Sequence, residues 1–367
     1  MSGAVVFDAR WLRTGIGRYT MALLQGLREQ LRNTPLTCIT QPQHVGLLST
    51  LCDRVIPCAA GIYGIQEQLA LPWLAREAAA LYAPHYNIPV LWKRPLLVTI
   101  HDLNHLLDAT YRDTWKSHLY ARPLLKMAIR HADVIITPSD YTKAKLCEHL
   151  GVEASRISVI PCCVAPCFQQ REKTEARRSV EQRLGIRRPY LLFVGNFAPN
   201  KNVPLLLESL ALLRSRRNDV PLLVIAGGDF KWRPQMLDSA RRHGVQDHIV
   251  WVGKLSDGLL AELYAAALMT IMPSFEEGFG LPVIESMACG TPVICSRAAS
   301  LPEVAGDAAL FCSPHSCEQL TEAIEHLMDS TGTRERLIAS GLTRSSLFSP
   351  QAFAERQARA IRQLLAS

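Results

Sequence analysis

Two glutamates of the sequence bracket a short turn that is rich in glycine. Glu277 and Glu285 stand eight residues apart, and Gly278, Gly280 and Pro282 lie between them. An apolar run just before the turn predicts a strand, and Pro282 is typical of a helix start. The free N–H groups of a helix start bind anions, and carboxylates accept hydrogen bonds from hydroxyl groups. The segment therefore predicts a site for a ligand with phosphate and hydroxyl groups, and the alternative is two glutamates that only cap a helix.

A lysine follows another predicted strand of the second half. The apolar run 190–194 leads into Gly195 and Asn196, and Lys201 stands just before an apolar helical pattern. A cation at a loop that opens a helix can neutralise a bound phosphate. The alternative is a solvated lysine, but the position after a strand favours phosphate binding.

In the first half, two glycines and a His-Asp pair stand at the ends of predicted elements. Gly15 and Gly17 precede a helical pattern, and His101 and Asp102 end a predicted strand. The two glycines are only a fragment of a dinucleotide fingerprint, because Thr20 replaces the third glycine. A nicotinamide-dependent sugar oxidoreductase is therefore the weaker alternative. At the end of a strand, His101 either faces a ligand in the crevice or is a buried histidine with satisfied hydrogen bonds.

Three more polar residues follow predicted strands. His85 and Asn87 come after a short apolar run. Ser139 ends another apolar run, and it is predicted either to contact a ligand or to cap the following helix.

Both halves alternate apolar strands with helical stretches, which predicts the α/β class with parallel sheets covered on both faces. The polar, arginine-rich stretch 171–188 interrupts this alternation. We therefore expect a first domain at 1–170, a linker at 171–188 and a second domain at 189–349. Doubly wound domains bind ligands in the crevice at the carboxyl ends of their strands.

With its segments in this order, the sequence resembles the retaining glycosyltransferases of family 4, which have the GT-B fold. The resemblance rests on Glu277…Glu285, on the loop with Lys201, on the strand end at 226–229 and on residues 249–255. It implies two Rossmann-like domains that face each other across a cleft. It also implies that the closing helix, residues 350–367, crosses back to the first domain.

The resemblance implies a role for each site residue. Glu277 contacts the donor sugar, Lys201 neutralises the leaving diphosphate, and Glu285 binds the ribose. His101 lies beside the donor sugar and the leaving phosphate. Further donor-binding residues are Gly15, Gly17, Asn196, Lys254, Leu255, Gly278, Phe279, Gly280 and Leu281, and the acceptor side comprises His85, Asn87, Asp102 and Ser139. Asn196 departs from the family, since many members have arginine there, and this halves the positive charge of the diphosphate site.

Composition bounds the partners. The chain of 367 residues has a net charge of +7, but it does not interleave aromatic and basic residues as nucleic-acid-binding proteins do. Five basic residues lie on one predicted helix face, which either is solvated or contacts an anionic membrane; they are Arg112, Lys116, Arg122, Lys126 and Arg130. The sequence lacks a recognisable secretory signal, so we expect a cytoplasmic protein, associated with the inner face of the membrane.

Metal and redox chemistry are not expected. The sequence contains no Asp-x-Asp motif, which predicts a reaction without a catalytic metal or another cofactor. The 11 cysteines are scattered and do not form a zinc pattern. We therefore expect them to be reduced and to serve mostly as small core residues.

The sequence thus predicts a retaining, metal-independent hexosyltransferase of O-antigen or related surface polysaccharide synthesis. Its motifs around Gly17, His85 and His101 are most similar to those of mannosyl- and rhamnosyltransferases. We rank GDP-mannose or GDP-rhamnose first as the donor, dTDP-rhamnose second and UDP-hexoses third, with a saccharide or lipid-linked glycan as the acceptor. The alternative from another class is a non-catalytic nucleotide-sugar-binding protein, which Asn196 makes conceivable.

Overall fold

The computed structural model describes residues 3–12, 15–104, 115–228 and 232–366, with the backbone alone for 115–122. It divides into two compact units. The first comprises Met1–Cys163 together with Pro350–Ser367, and the second comprises Val164–Ser349. Each unit is built on one parallel sheet. Within the described residues, no helix is both long and apolar enough to cross a membrane.

The sheet of the first unit has seven strands among the described residues, in the order β3-β2-β1-β4-β5-β6-β7. They are β1 (Val5–Asp8), β2 (Leu36–Thr40), β3 (Arg54–Pro57), β4 (Ala80–Ala83), β5 (Leu96–Thr99), β6 (Val134–Thr137) and β7 (Ile157–Val159). The helices described here are α1 (Gly15–Gln30), α2 (Val45–Leu48), α3 (Ile65–Leu74), α4 (Trp115–His131) and α5 (Asp140–Leu150). Strands β1, β4 and β5 are buried throughout, which explains why they are apolar without alternation.

The sheet of the second unit has six strands among its described residues, in the order β10-β9-β8-β11-β12-β13. They are β8 (Tyr190–Gly195), β9 (Leu222–Gly227), β10 (Ile249–Gly253), β11 (Met269–Met272), β12 (Val293–Ser296) and β13 (Ala309–Cys312). The helices are α6 (Lys173–Leu184), α7 (Val203–Arg216), α8 (Arg233–Arg242), α9 (Asp257–Ala266), α10 (Leu281–Ala288), α11 (Leu301–Ala305), α12 (Cys317–Asp329) and α13 (Thr331–Ser346). This strand order is that of a Rossmann fold, which confirms the predicted class.

The closing helix α14 (Pro350–Ala366) packs against α1 of the first unit. The two backbones approach closely, since a Cβ atom on Gly26 would lie 2.5 Å from the Cβ of Ala354. Gln357 donates to the hydroxyl of Tyr19 at 2.7 Å and accepts from the hydroxyl of Tyr82 at 2.8 Å. The helix thus returns to the first unit, as expected.

The expected linker at 171–188 is replaced by a packed element. Helix α6 occupies most of this stretch and packs against α9 of the second unit. Ala176 and Val180, four residues apart, are buried, while the charged residues around them face solvent. This short apolar stripe is easily overlooked in a polar stretch, and the boundary between the units lies at Cys163 and Val164 instead.

The cysteines also differ from expectation at one place. Cys38 of β2 and Cys52, just before β3, form a disulfide, with Cα atoms 6.5 Å apart. Strands β2 and β3 are neighbours in the sheet, and this pairing brings the two residues together. A sequence separation of 14 residues carries no signal of it. Six of the other cysteines are buried with free thiols, as expected; they are Cys58, Cys162, Cys163, Cys289, Cys295 and Cys312.

Candidate active site

The strand order of the second unit reverses between β8 and β11, where open α/β sheets bind their ligands. Lys201 follows β8 and Glu277 follows β11, so the two loops lie side by side. The Lys201 ammonium donates to both carboxylate oxygens of Glu277, at 2.6 and 2.8 Å. Both side chains are largely buried, which strengthens the attraction between the charges. The structure therefore joins two residues that the sequence placed in one site.

Two asparagines fix the Lys201 loop to the Glu277 loop. The side chain of Asn200 donates to the carbonyl of Glu276 at 3.0 Å, and the Asn200 carbonyl accepts from the backbone N–H of Phe275 at 2.8 Å. The side chain of Asn202 donates to the carbonyls of Pro273 and Pro314, at 3.0 and 2.8 Å. Asn202 adopts a left-handed backbone, with φ of 54°, which asparagine tolerates better than most residues. The sequence interpretation gave neither asparagine a role.

Two serines hold the backbone and the carboxylate of Glu277. Ser274 donates to Oε1 of Glu277 at 2.8 Å. The hydroxyl of Ser300 donates to the carbonyls of Glu277 and Phe279, at 2.9 and 3.0 Å. The carboxylate thus receives hydrogen bonds from Ser274 and Lys201, and Ser300 fixes the backbone of its loop. Glu277 is therefore held in one orientation.

Gly280 sets the start of helix α10. Its φ is 97°, a left-handed value that favours glycine, and a Cβ atom there would lie 2.6 Å from Cδ2 of Leu301. Leu281 and Pro282 then begin the helix, so the proline takes its second position. The glycine turn and the helix start form the kind of backbone that binds a phosphate group.

Glu285 lies within helix α10. It is the fifth residue of α10, one residue beyond the first turn, and it is buried. Its Oε2 accepts a hydrogen bond from the hydroxyl of Tyr264 at 3.0 Å. Tyr264 is itself fully buried, so it holds the Glu285 carboxylate from the protein side.

Glycines bring the ends of β8 and β9 together. The N–H of Gly228 donates to the carbonyl of Gly195 at 2.8 Å, and a Cβ atom on Gly227 would lie 2.5 Å from that oxygen. Next to this contact, Asn196 is exposed, and its Oδ1 accepts from the N–H of Ala198 at 3.3 Å. Asn196 therefore shapes the turn and adds no charge to it. Gly253, with φ of 69°, ends β10 beside β9 at the same edge of the sheet.

Two predicted donor-binding residues follow Gly253. Lys254 is exposed and Leu255 is half-buried, and both lie between β10 and α9. Both belong to the donor-binding residues that the resemblance implies.

The first unit has a buried ionic cluster at its own point of strand reversal, between β1 and β4. Arg10 donates to both carboxylate oxygens of Asp8 at 2.8 Å and pairs with Glu67 of α3 at 2.8 Å. Burial lowers the pKa of Arg10, but the two carboxylates outweigh it and raise that pKa well above its ordinary value. Burial also raises the pKa of Glu67, against the attraction of Arg10. Breaking such a pair leaves an uncompensated buried charge.

Asn87 belongs to this cluster. Its side-chain amide donates to both carboxylate oxygens of Glu67 at 3.1 Å, and the residue is 1% exposed. The amide nitrogen of Asn87 thus helps to position Glu67, and the expected contact of Asn87 with an acceptor stays a prediction. His85 is held by the same segment, because the N–H of Asn87 donates to its Nδ1 at 3.2 Å. The His85 ring lies against those of Tyr86 and Trp11, with centroids 3.9 and 4.2 Å away.

His101 follows β5 and has a defined tautomer. Its Nε2 lies 2.9 Å from the carbonyl of Pro84, and since a carbonyl only accepts, this nitrogen carries the hydrogen. Burial lowers the pKa of His101, although the charge of Asp102 and the Pro84 contact oppose it. The neutral ring then offers Nδ1 as a hydrogen-bond acceptor. Asp102 caps its own turn, because its Oδ1 accepts from the N–H of Asn104 at 3.0 Å.

Ser139 is a helix cap. It is fully buried, and its Oγ accepts from the N–H of Thr142 at 3.1 Å at the start of α5. Of its two predicted roles the structure shows the cap, and the contact with a ligand stays a prediction.

The glycines near the chain start have different surroundings. A Cβ atom on Gly17 would lie 2.2 Å from the carbonyl oxygen of Leu12, so packing against the chain itself requires a glycine there. Gly15 has open space around its Cα atom. The predicted basic face on α4 lies mostly outside the described residues, since neither Arg112 nor the side chains of Lys116 and Arg122 are described.

Comparison with known proteins matches both units. The model of the family described as glycosyl transferases group 1 matches residues 176–344. The model described as glycosyltransferase family 4 matches residues 67–166. The first match contains Lys201, Glu277 and Glu285, and the second contains His85 and His101.

Two relatives are similar along most of the chain. The chain is 27% identical to O-antigen chain mannosyltransferase B of Escherichia coli over 357 residues, which cover 92% of both chains. It is 25% identical to O-antigen chain mannosyltransferase RfbU of Salmonella typhimurium over 331 residues, 86% of this chain and 87% of the relative.

Solved structures share the fold. Sucrose-phosphate synthase of Thermosynechococcus elongatus matches with a TM-score of 0.80 at 21% identity, over 99% of each chain. HepE of Anabaena in complex with UDP-glucose matches with a TM-score of 0.82 at 16% identity, over 98% of this chain and 100% of that one. The fold of this chain is thus of the GT-B type.

Proposed function

The chain belongs to the glycosyltransferases that these two family models describe, and on this premise we propose that it transfers mannose from GDP-mannose to a glycan or lipid-linked acceptor. Two relatives that span most of its length are O-antigen mannosyltransferases, which favours the same pathway and sugar here. Rhamnose from GDP-rhamnose ranks next, on the resemblance of the sequence motifs.

The observation that carries the proposal is the Lys201–Glu277 pair at the strand reversal of the second unit. A nucleoside diphosphate sugar needs a cation for the diphosphate and a carboxylate for the sugar hydroxyls. Here both stand on adjacent loops, next to the glycine turn that opens α10. Lys201 and the α10 start stabilise the charge that develops on the departing diphosphate. Glu277, fixed by Ser274, accepts from the sugar hydroxyls.

We assign the acceptor to the first unit. His101 is neutral, and its Nε2 donates to the carbonyl of Pro84. Its Nδ1 therefore remains able to accept a hydrogen bond from a hydroxyl group. His85 lies in an aromatic cluster with Trp11 and Tyr86, and such surfaces pack against the apolar faces of sugar rings. The position of His85 depends on the buried cluster around Arg10 and Glu67, through Asn87.

The nucleobase would lie at the end of β10. Guanine presents N1–H and N2–H₂ donors, which the backbone carbonyls around Gly253 and Lys254 can accept. The left-handed backbone of Gly253 turns the chain at this point. On this basis we favour guanine over uracil and thymine.

The reaction is proposed to retain the anomeric configuration and to proceed without a metal ion. Incubation with GDP-α-mannose and an O-antigen acceptor should release GDP and yield an α-linked product by NMR, with no loss of rate in excess EDTA. A β-linked product contradicts retention. Loss of activity in EDTA that magnesium or manganese restores contradicts the metal-independent mechanism.

One observation favours a second candidate, a nucleotide-sugar-binding protein without turnover. Asn196 contributes a neutral turn contact where an arginine would add a second cation. Binding of GDP-mannose without GDP release, over a panel of acceptors, would establish this alternative.

A further inference from the structure

Helix α3 of the first unit exposes an apolar stripe. Ile65, Leu69 and Trp73 stand four residues apart on one helix face, and they are 84%, 64% and 64% exposed. Surface helices of globular proteins normally present polar residues to solvent. Leu91, which is 56% exposed, belongs to the segment beside the helix. We name the surface formed by Ile65, Leu69, Trp73 and Leu91 the α3 face.

The opposite side of α3 fixes the helix firmly in the unit. Glu67 pairs with buried Arg10 at 2.8 Å, and Leu71 lies in the core. Gln68 accepts from the N–H of Val90 at 2.8 Å and donates to the carbonyl of Ile88, which holds the segment with Leu91 alongside. The stripe therefore points outward, because Glu67, Gln68 and Leu71 hold the opposite side of the helix against the unit.

Cations surround one end of the α3 face. The guanidinium of Arg76 lies 4.7 Å from the ring centroid of Trp73. Glu77 forms salt bridges with Arg54 and Arg76, at 3.9 and 3.6 Å. Lys93 and Arg94 follow Leu91 and are exposed, and they have no carboxylate partner among the residues that the structure describes. Arg54, Arg76, Lys93 and Arg94 form the basic rim of the α3 face. Glu77 offsets one of these four charges, so the rim is positively charged.

We propose that the α3 face docks on an anionic lipid bilayer. An apolar stripe enters the interface between headgroups and acyl chains, tryptophan is favoured there, and basic residues bind anionic headgroups. A second copy of the chain fits this surface less well, because a symmetric contact would bring the basic rim against itself. The charge of the rim thus selects the bilayer.

This inference rests on the proposed function, since it gives a lipid-linked acceptor a place on the molecule. Helix α3 connects the α3 face directly with the segment of His85 and Asn87. Its outer side forms the α3 face, and its inner side holds Asn87 through Glu67. The segment of His85 and Asn87 therefore has a fixed position relative to the bilayer. A glycan on a lipid carrier would reach the first unit from that side.

Co-sedimentation with vesicles tests the proposal. The protein should bind vesicles of phosphatidylcholine and phosphatidylglycerol, and bind those of phosphatidylcholine alone more weakly. A variant with Ile65→Gln, Leu69→Gln and Trp73→Gln should bind about tenfold more weakly or worse, since the apolar side chains that enter the bilayer are lost. Lys93→Gln should weaken binding to the anionic vesicles alone. Leu347→Gln, at a residue of the second unit that is 61% exposed, is the matched control and should bind as the parent does.

Turnover with a water-soluble acceptor separates this proposal from the proposed function. The triple variant should keep its melting temperature and its turnover on that acceptor, because only exposed side chains change. A second measurement covers the case of a variant that does not fold. Lipids brominated in the acyl chains should quench tryptophan fluorescence of the parent protein, and Trp73→Phe should remove most of this quenching.

Three results would overturn the proposal: no binding of the parent to anionic vesicles, equal binding of the triple variant, or quenching that persists in Trp73→Phe. A parent dimer that the triple variant converts into a monomer, measured by light scattering, would make the α3 face a contact between copies instead. If the parent binds vesicles but shows no turnover, the proposed function is contradicted and the docking proposal is still supported.

Discussion

The ammonium of Lys201 lies 2.6 and 2.8 Å from the two carboxylate oxygens of Glu277, and these residues belong to loops that follow different strands. The pair stands where the strand order of the second unit reverses. A cation for a diphosphate and a carboxylate for a sugar are thus oriented by each other. The binding of a donor would exchange part of this ion pair for contacts with the ligand.

Glu277→Gln should lower kcat by about a hundredfold or more, because a preorganised charge in the site is lost. The fold should survive, since Ser274 and Lys201 can still bond to the amide oxygen. The measurement is steady-state GDP release, together with a melting curve. A matched control is Lys173→Ala, in a cavity at the opposite, amino-terminal edge of the same sheet, where Pro189 and Met269 also lie. A Glu277→Gln enzyme within about threefold of the parent would remove this carboxylate from the reaction.

Gly280→Ala should destabilise the second unit by roughly 1–3 kcal/mol and lower the affinity for the donor. Its backbone is left-handed, and the new Cβ atom would meet Leu301. Chemical denaturation and donor titration measure the two effects. Gly258→Ala is the control, because no atom lies within 4 Å of the added Cβ and the backbone there is not left-handed. Equal stability of the two variants would show that the turn is not constrained as described.

Activity should persist as the pH falls through 6.5, the ordinary pKa of histidine. Burial lowers the pKa of His101, so the ring stays neutral and keeps Nδ1 as an acceptor at this pH. The unfolded chain takes up the proton first, so the contribution of His101 to stability is full above 6.5 and declines below it. A pH profile of kcat, compared with that of His101→Gln, tests the assignment. An acid limb at or above 6.5 that His101→Gln abolishes would contradict the neutral form.

Gln357→Leu should lower the free energy of unfolding by about 1–3 kcal/mol, because buried polar groups lose partners. Gln357 bonds to Tyr19 and Tyr82 and joins α14 to α1 and β4. Deletion of residues 350–367 should cost more, since the apolar side of α14 is buried. Gln351→Leu, on the exposed side of the same helix, is the control. Melting curves of Gln357→Leu and the truncated chain that match the parent's would reject this role of the helix.

The sequence predicted the fold class and the loops of the second unit well. The motif of Glu277 and Glu285 and the loop of Lys201 each follow a strand, and a parallel sheet brings strand ends to one edge. Local patterns of this kind are visible in a sequence. The contacts of Asn200 and Asn202 were not, because their partners lie more than 70 residues away in the chain.

The first unit was predicted less well for the same reason. Asp8, Arg10 and Glu67 form one buried cluster, although Glu67 is 57 positions from Arg10. A signal was present, because Glu67 is the only acidic residue in an otherwise apolar or neutral helix segment, Ile65–Leu74. A lone charge within such a helix indicates a buried partner. Asn87 was expected to meet an acceptor, and the two roles predicted for Ser139 stayed open, since burial is not visible in a residue type.

Titration with nucleotides tests the central claim most directly. The account predicts that GDP binds more tightly than UDP or dTDP, and that Lys201→Ala weakens GDP binding about tenfold or more, equal to about 1.4 kcal/mol. Isothermal calorimetry of the parent, of Lys201→Ala and of the Lys173→Ala control measures this under one condition. Unchanged GDP affinity in Lys201→Ala would contradict the diphosphate site. UDP or dTDP binding about tenfold more tightly than GDP would contradict the proposed donor.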